Sequence, residues 1–154
     1  LGTGGAGFIT IPLARAVGER GVVYAVDIMK SSLRSVAEIA ALYGLENIKL
    51  LWSDLEIVGA AQIDDGSLDV AVLVNTLFQT KNRENVLKEA ARLLKEDGTL
   101  AIIDWKQDAG LFGPSKEMRL DPKKIISLAE KAGLELQQEF TVGDFHFGML
   151  FSKV

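Results

Sequence analysis

The chain has no cysteine, which excludes a disulfide scaffold, a thiolate nucleophile and cysteine-ligated metals. Its single histidine, His146, is too few for a histidine-based metal site. No apolar run approaches the ~18 residues of a membrane span, and no signal-peptide pattern is visible. A basic stripe is missing too. The net charge is −4, with acids and bases spread along the sequence, and direct nucleic-acid binders usually concentrate lysine and arginine on one face. These absences lead us to expect a cytoplasmic protein with no nucleic-acid or membrane partner. What is present is globular: 154 residues, 48% hydrophobic and 25% charged. That suffices for the core of one domain and excludes a disordered chain.

Short apolar runs alternate with longer helical patterns. Val22–Val26 is a β-rich run ending at Asp27. Ser31 and Ser32 are candidate caps for a helix carrying Leu33, Val36, Ala37, Ala40 and Ala41 at helical spacing up to Gly44. Ile48–Trp52 and Leu68–Val74 read as strands, the second apolar enough to be buried on both faces. An amphipathic helix spans Asn82–Lys95, and after Gly98 a strand covers Thr99–Ile103. Asp121-Pro122 is a cap followed by an N1 proline, and Gly133 is a stop. Leu134–Val142 and Phe145–Phe151 then form two strands joined by Gly143-Asp144. Such alternation predicts an α/β fold, a doubly wound and mostly parallel sheet with right-handed crossovers, closed by one antiparallel strand.

In open sheets of this kind ligands bind beyond the carboxyl ends of the strands. Polar residues stand there: Asp27 after one strand, Asp54 just past the next, Asn75 and Asp104 after the following two. Ahead of them the chain opens on LGTGGAGF, which fits G-x-G-x-x-G at Gly2, Gly4 and Gly7. A glycine loop with a carboxylate on the next strand end is an adenosine-binding pattern, the carboxylate accepting from two ribose hydroxyls. NAD and S-adenosylmethionine both satisfy it. Pro12 separates them, because a helix begun at Gly7 would hold that proline in its interior, at about 3 kcal/mol. A helix capped by Thr10 puts Pro12 in the first turn and leaves a longer loop, suited to a cofactor without phosphates. The closing antiparallel pair is also unlike a second mononucleotide-binding half.

LGTGGAGFITIPLA, VYAVDIM, LLWSDLE, DDGSLDVAVLVNTLF and LLKEDGTLAIIDW, in that order, resemble the five motifs of class I S-adenosylmethionine-dependent methyltransferases. The likeness is to the broad group that includes ubiquinone- and menaquinone-biosynthesis enzymes. It implies a Rossmann-like sheet of order 3-2-1-4-5-7-6 with strand 7 antiparallel, in one domain spanning residues 1–154. It also implies methyl transfer to a small-molecule acceptor. The cofactor contacts implied are Gly2, Thr3 and Gly4 in the loop, Asp27 at the ribose with Ile28 next to it, Asp54 at the adenine amino group with Leu55 next to it, and Asn75. The family's first motif begins with an acidic residue that would precede Leu1, so strand 1 is expected to be largely absent from this sequence. The glycine cluster is also one residue longer than the family's, so Gly5 and Gly7 compete with Gly2 and Gly4 for the ligand-facing places.

No residue declares itself a catalytic base. His146 lies in the closing strand pair and reads as structural. Asp104-Trp105-Lys106 either lines an acceptor pocket or begins a solvated loop. Trp52, Phe78, Phe112, Phe145, Phe147 and Phe151 read as core or hairpin packing. An NAD(H)-dependent oxidoreductase and a non-catalytic Rossmann-like module remain as alternatives.

Overall fold

Pro12 decides where the first helix can start. In the computed structural model, which describes residues 7–154, helix α1 spans Thr10–Val17, so Pro12 occupies its first turn, where a missing N–H costs little. The helix begins one residue earlier than the sequence predicts. Ile9, not Thr10, is the cap, and Thr10 is buried inside the first turn. Gly7 has φ +79°, a left-handed conformation natural to glycine, and its carbonyl accepts from the Ile11 N–H at 3.0 Å. Gly2, Thr3, Gly4 and Gly5 lie outside the described residues.

Backbone contacts divide the chain into two units, residues 1–55 with 60–62, and residues 56–59 with 63–154. In the first unit β1 (Val23–Asp27) pairs in parallel with β2 (Ile48–Trp52), from Val23 opposite Ile48 to Asp27 opposite Trp52. Between them runs α2 (Lys30–Leu42), which packs on both strands and on α1. Ile11, Ala14, Ala25, Val26, Leu33 and Val36 form the core. Asn47 closes the C-terminal end of α1, its amide donating to the carbonyls of Ala14 at 2.8 Å and Gly18 at 2.9 Å. Neither Ser31 nor Ser32 caps α2. The Asp27 carboxylate accepts from the Met29 N–H at 2.8 Å, and with this turn in place the helix begins at Lys30, before either serine.

The second unit holds a four-stranded sheet of β3 (Leu68–Val74), β4 (Leu94–Trp105), β6 (His146–Lys153) and β5 (Leu134–Val142), in that spatial order. β3 and β4 are parallel, whereas β6 runs antiparallel to both neighbours, β4 and β5. The sheet is therefore mixed, and its antiparallel strand is β6, which lies between β4 and β5. Helices α3 (Arg83–Leu93) and α4 (Pro122–Lys131) contact each other and pack on β3, β4 and β5. Their apolar faces meet the sheet through Leu87, Leu93, Ile125, Leu100, Ile102 and Phe151, each at most 1% exposed. Burial of one such side chain stabilises by roughly 1.5–3 kcal/mol.

Helix α4 is capped as predicted, with Asp121 accepting from the Lys123 N–H at 3.0 Å and Pro122 at N1. The junction of α3 and β4 differs from expectation. The helix stops at Leu93, and Leu94 already pairs with Leu68, a register shift intervening before Thr99 meets Val70. Residues 94–98 are thus strand. The turn-like Asp97, at φ +61°, and Gly98, where a Cβ would stand 2.8 Å from the Lys95 carbonyl, absorb the irregularity. At the other edge Gly148 of β6 lies opposite Phe140 of β5, whose ring occupies the space a Cβ would need, 2.3 Å from the nearest ring carbon.

Candidate functional site

The end of β1 is a tied turn. Besides the Asp27 carboxylate on the Met29 N–H, the Asp27 carbonyl accepts from Ser53 N–H at 3.1 Å. The Ile28 carbonyl accepts from the Trp52 indole N–H at 2.8 Å, and Lys30 Nζ lies 4.2 Å from the centre of that indole ring. Parallel pairing in register brings two of the expected segments together, Asp27–Ile28 and Asp54–Leu55, on adjacent strand ends. Asp27 and Asp54 are half-buried, Ile28 and Met29 are exposed, and Leu55 is buried. A carboxylate held at a strand end beside an exposed turn can accept hydrogen bonds from the vicinal hydroxyls of a ribose. Sequence reasoning assigned Trp52 to packing, yet it is 62% exposed. Its place directly opposite Asp27 was the available signal.

Asn75 belongs to the second unit. It follows β3 in the left-handed region, at φ +49°, with its N–H on the Ile103 carbonyl at 2.9 Å. Asparagine tolerates this conformation better than most residues. Its side-chain oxygen is buried without a hydrogen-bond partner, an unmet acceptor that suits a donor from a ligand.

Asp104, at the end of β4, neither lines an open pocket nor begins a solvated loop. It is 1% exposed. Its carboxylate accepts from Leu77 N–H at 3.1 Å, Phe78 N–H at 3.3 Å and Trp105 N–H at 2.8 Å, capping the 3-10 turn Leu77–Gln79. Burial pushes its carboxyl up to about 6, against these three N–H groups and the nearby Arg83 charge. The next residue, Trp105, stacks against His146 with ring centres 4.2 Å apart. Burial, and secondarily the Lys106 charge, lower the imidazole's pKa and so favour its neutral form. Its Nε2 is buried without a partner.

The segment after β4 is ordered by one side chain. The Arg119 guanidinium donates to the carbonyls of Gln107, Gly110, Phe112 and Pro114 at 2.8–3.1 Å. Phe112 stacks on Phe145 with ring centres 4.9 Å apart, though Phe112 itself is 63% exposed. Glu89 is a residue the sequence reading missed. It is fully buried on α3, accepts from Gly59 N–H at 2.7 Å, and pairs with Arg92, which also reaches Asp65 and the Ile63 carbonyl. Glu89 raises the Arg92 pKa above its usual value. Its position three residues after Val86, on the apolar side of α3, marked it as buried. Among the described residues no cluster of three or more His, Asp or Glu could hold a metal ion, and no helix is long and apolar enough to cross a membrane.

Comparison with known proteins adds the following. A family model described as a methyltransferase domain matches residues 1–141. An arsenite methyltransferase of Aquipseudomonas alcaligenes is 32% identical over 114 residues, 71% of this chain and 32% of the relative. A demethylmenaquinone methyltransferase of Geobacillus stearothermophilus is 32% identical over 106 residues, 68% of this chain and 43% of the relative. The chain thus matches less than half the length of either. A crystal structure of a SAM-dependent methyltransferase from Aquifex aeolicus superposes with a TM-score of 0.89 at 30% identity, over 99% of this chain and 79% of that one.

Proposed function

We propose that this chain, which belongs to the methyltransferase-domain family, binds S-adenosylmethionine and takes part in moving its methyl group to a small-molecule acceptor. The observation that carries the reading is the tied turn at the end of β1. There the Asp27 carboxylate stands on the strand end adjacent to the one that leads to Asp54. In this reading Asp27 accepts from the ribose hydroxyls, Ile28 and Leu55 give the adenine apolar contact, and Asp54 meets its amino group. Asn75 offers its unmet amide oxygen to a donor on the methionine part. Gly2, Thr3 and Gly4 make the loop for that part. The cofactor supplies a methyl group already activated on a sulfonium. The chain's own contribution is position and electrostatics. The acceptor's lone pair forms the new bond to carbon as the carbon–sulfur bond breaks and its electrons return to sulfur. No proton need move unless the acceptor carries one.

Two finer statements belong to the same proposal. Residues 1–154 act as one cofactor-binding domain, and the sheet follows the family order 3-2-1-4-5-7-6. The internal order of each observed sheet supports the latter, β2-β1 corresponding to 3-2 and β3-β4-β6-β5 to 4-5-7-6. A small acceptor is supported by the relatives, named for arsenite and demethylmenaquinone, and by the lack of a basic stripe. Calorimetric titration with S-adenosylhomocysteine and with NADH tests the proposal. Binding of the first and not the second is expected. NADH binding without S-adenosylhomocysteine binding would replace the reading with that of an oxidoreductase.

A further inference from the structure

We propose that Trp52 is a positioning residue for the adenosine-side turn, holding Ile28 and through it Asp27 in the geometry that receives the ribose. The proposal rests on the cofactor reading above and adds to it a residue to which the family resemblance gives no role. A tryptophan that serves packing is mostly covered, yet Trp52 is 62% exposed. Exposed indole is held here by directed contacts. Its N–H donates to the Ile28 carbonyl at 2.8 Å, and Lys30 Nζ sits 4.2 Å from its ring centre. Each residue of the turn is thereby fixed. The Asp27 carbonyl is fixed by Ser53 N–H, the Ile28 carbonyl by Trp52, and the Met29 N–H by the Asp27 carboxylate. Trp52 supplies the side-chain tie from the neighbouring strand, and all these groups lie in one unit. Without the indole N–H, the Ile28 carbonyl turns to water and the short segment 27–29 samples more conformations. A ligand must then order the turn as it binds.

The test is a double-mutant cycle on the full chain with Trp52→Phe and Asp27→Ala. Affinity is read by calorimetry with S-adenosylhomocysteine and with methylthioadenosine, which shares the adenosine part and lacks the amino acid. Loss of one neutral hydrogen bond corresponds to about a fivefold weakening by Trp52→Phe, the same for both ligands. The unliganded melting temperature should fall by no more than the ~2–4 °C that one hydrogen bond corresponds to, and the effect on affinity should largely disappear when Asp27 is already alanine. Unchanged affinity in Trp52→Phe overturns the proposal. So does a full, additive effect in the Asp27→Ala background, or a fall in melting temperature well beyond that of one hydrogen bond. Failure of the wild-type chain to bind S-adenosylhomocysteine is a separate outcome that removes the cofactor reading itself.

Discussion

At the end of β1, Asp27 is half-buried beside two exposed residues, Ile28 and Met29, and its carboxylate accepts from the Met29 N–H of its own turn. At the end of β4, Asp104 is 1% exposed and its carboxylate takes three N–H groups, two of them from a 3-10 turn more than twenty residues away in sequence. In the sequence both aspartates stand at the same place, the first polar residue after an apolar strand. The first stands beside an exposed turn. The second is a buried anchor whose ionisation is opposed by its surroundings. Strand-end polarity alone therefore does not tell a partly exposed carboxylate from a buried anchor, and burial does.

The largest effect expected from breaking this contrast lies on the buried side. Glu89→Ala removes the acceptor for Gly59 N–H and leaves the Arg92 guanidinium, itself largely covered, without its buried two-point partner. Chemical denaturation should show a loss of about 3 kcal/mol or more. A loss below about 1 kcal/mol would mean that water replaces the carboxylate freely.

Asp104 comes next, through pH. Its pKa is about 6 in the folded chain and about 3.9 unfolded. Between those values the unfolded chain loses its proton first, so stability falls as pH rises through the window. The full cost above pH 6 is about 3 kcal/mol at most. Stability curves of wild type and Asp104→Asn should therefore diverge between pH 4 and 7, the wild type losing ground. Parallel curves would show that Asp104 ionises as easily as an exposed aspartate. On the open side, Asp27→Ala should weaken S-adenosylhomocysteine binding at least tenfold, about 1.4 kcal/mol, with a smaller change in stability. If stability fell as far as binding, Asp27 would be an anchor like Asp104. The Trp52→Phe effect, about fivefold, is the smallest of the four.

Much of this architecture was legible in the sequence because its signals are local. Ile48–Trp52, Leu68–Val74 and Leu134–Val142 are strands with the expected ends, since each is an apolar or alternating run between turn residues. The Asp121-Pro122 start holds because cap and ring act within one turn. The start of β4 was hidden because Leu94-Lys95 continues the helical pattern of α3, while pairing with Leu68, distant in sequence, makes it strand. Of the site, the position of Asp27 was readable from its strand. The burial of Asp104 and the exposure of Trp52 depend on neighbours brought in by tertiary packing, and residue spacing carries little trace of those, whereas the place of Glu89 on the apolar side of α3 was readable from its spacing and only its partners were not.

The contact of Gly148 with the Phe140 ring concerns register rather than strength. β5 is the outermost strand of its sheet, paired within it to β6 only, and an edge strand of alternating residues can slide by two positions and keep its apolar face inward. Sliding by two would take the Phe140 ring from the one site on β6 without a side chain and set it opposite His146 or Leu150, each of which carries one. The glycine gives up its own packing so that one alignment of the last hairpin is favoured over its nearest competitors.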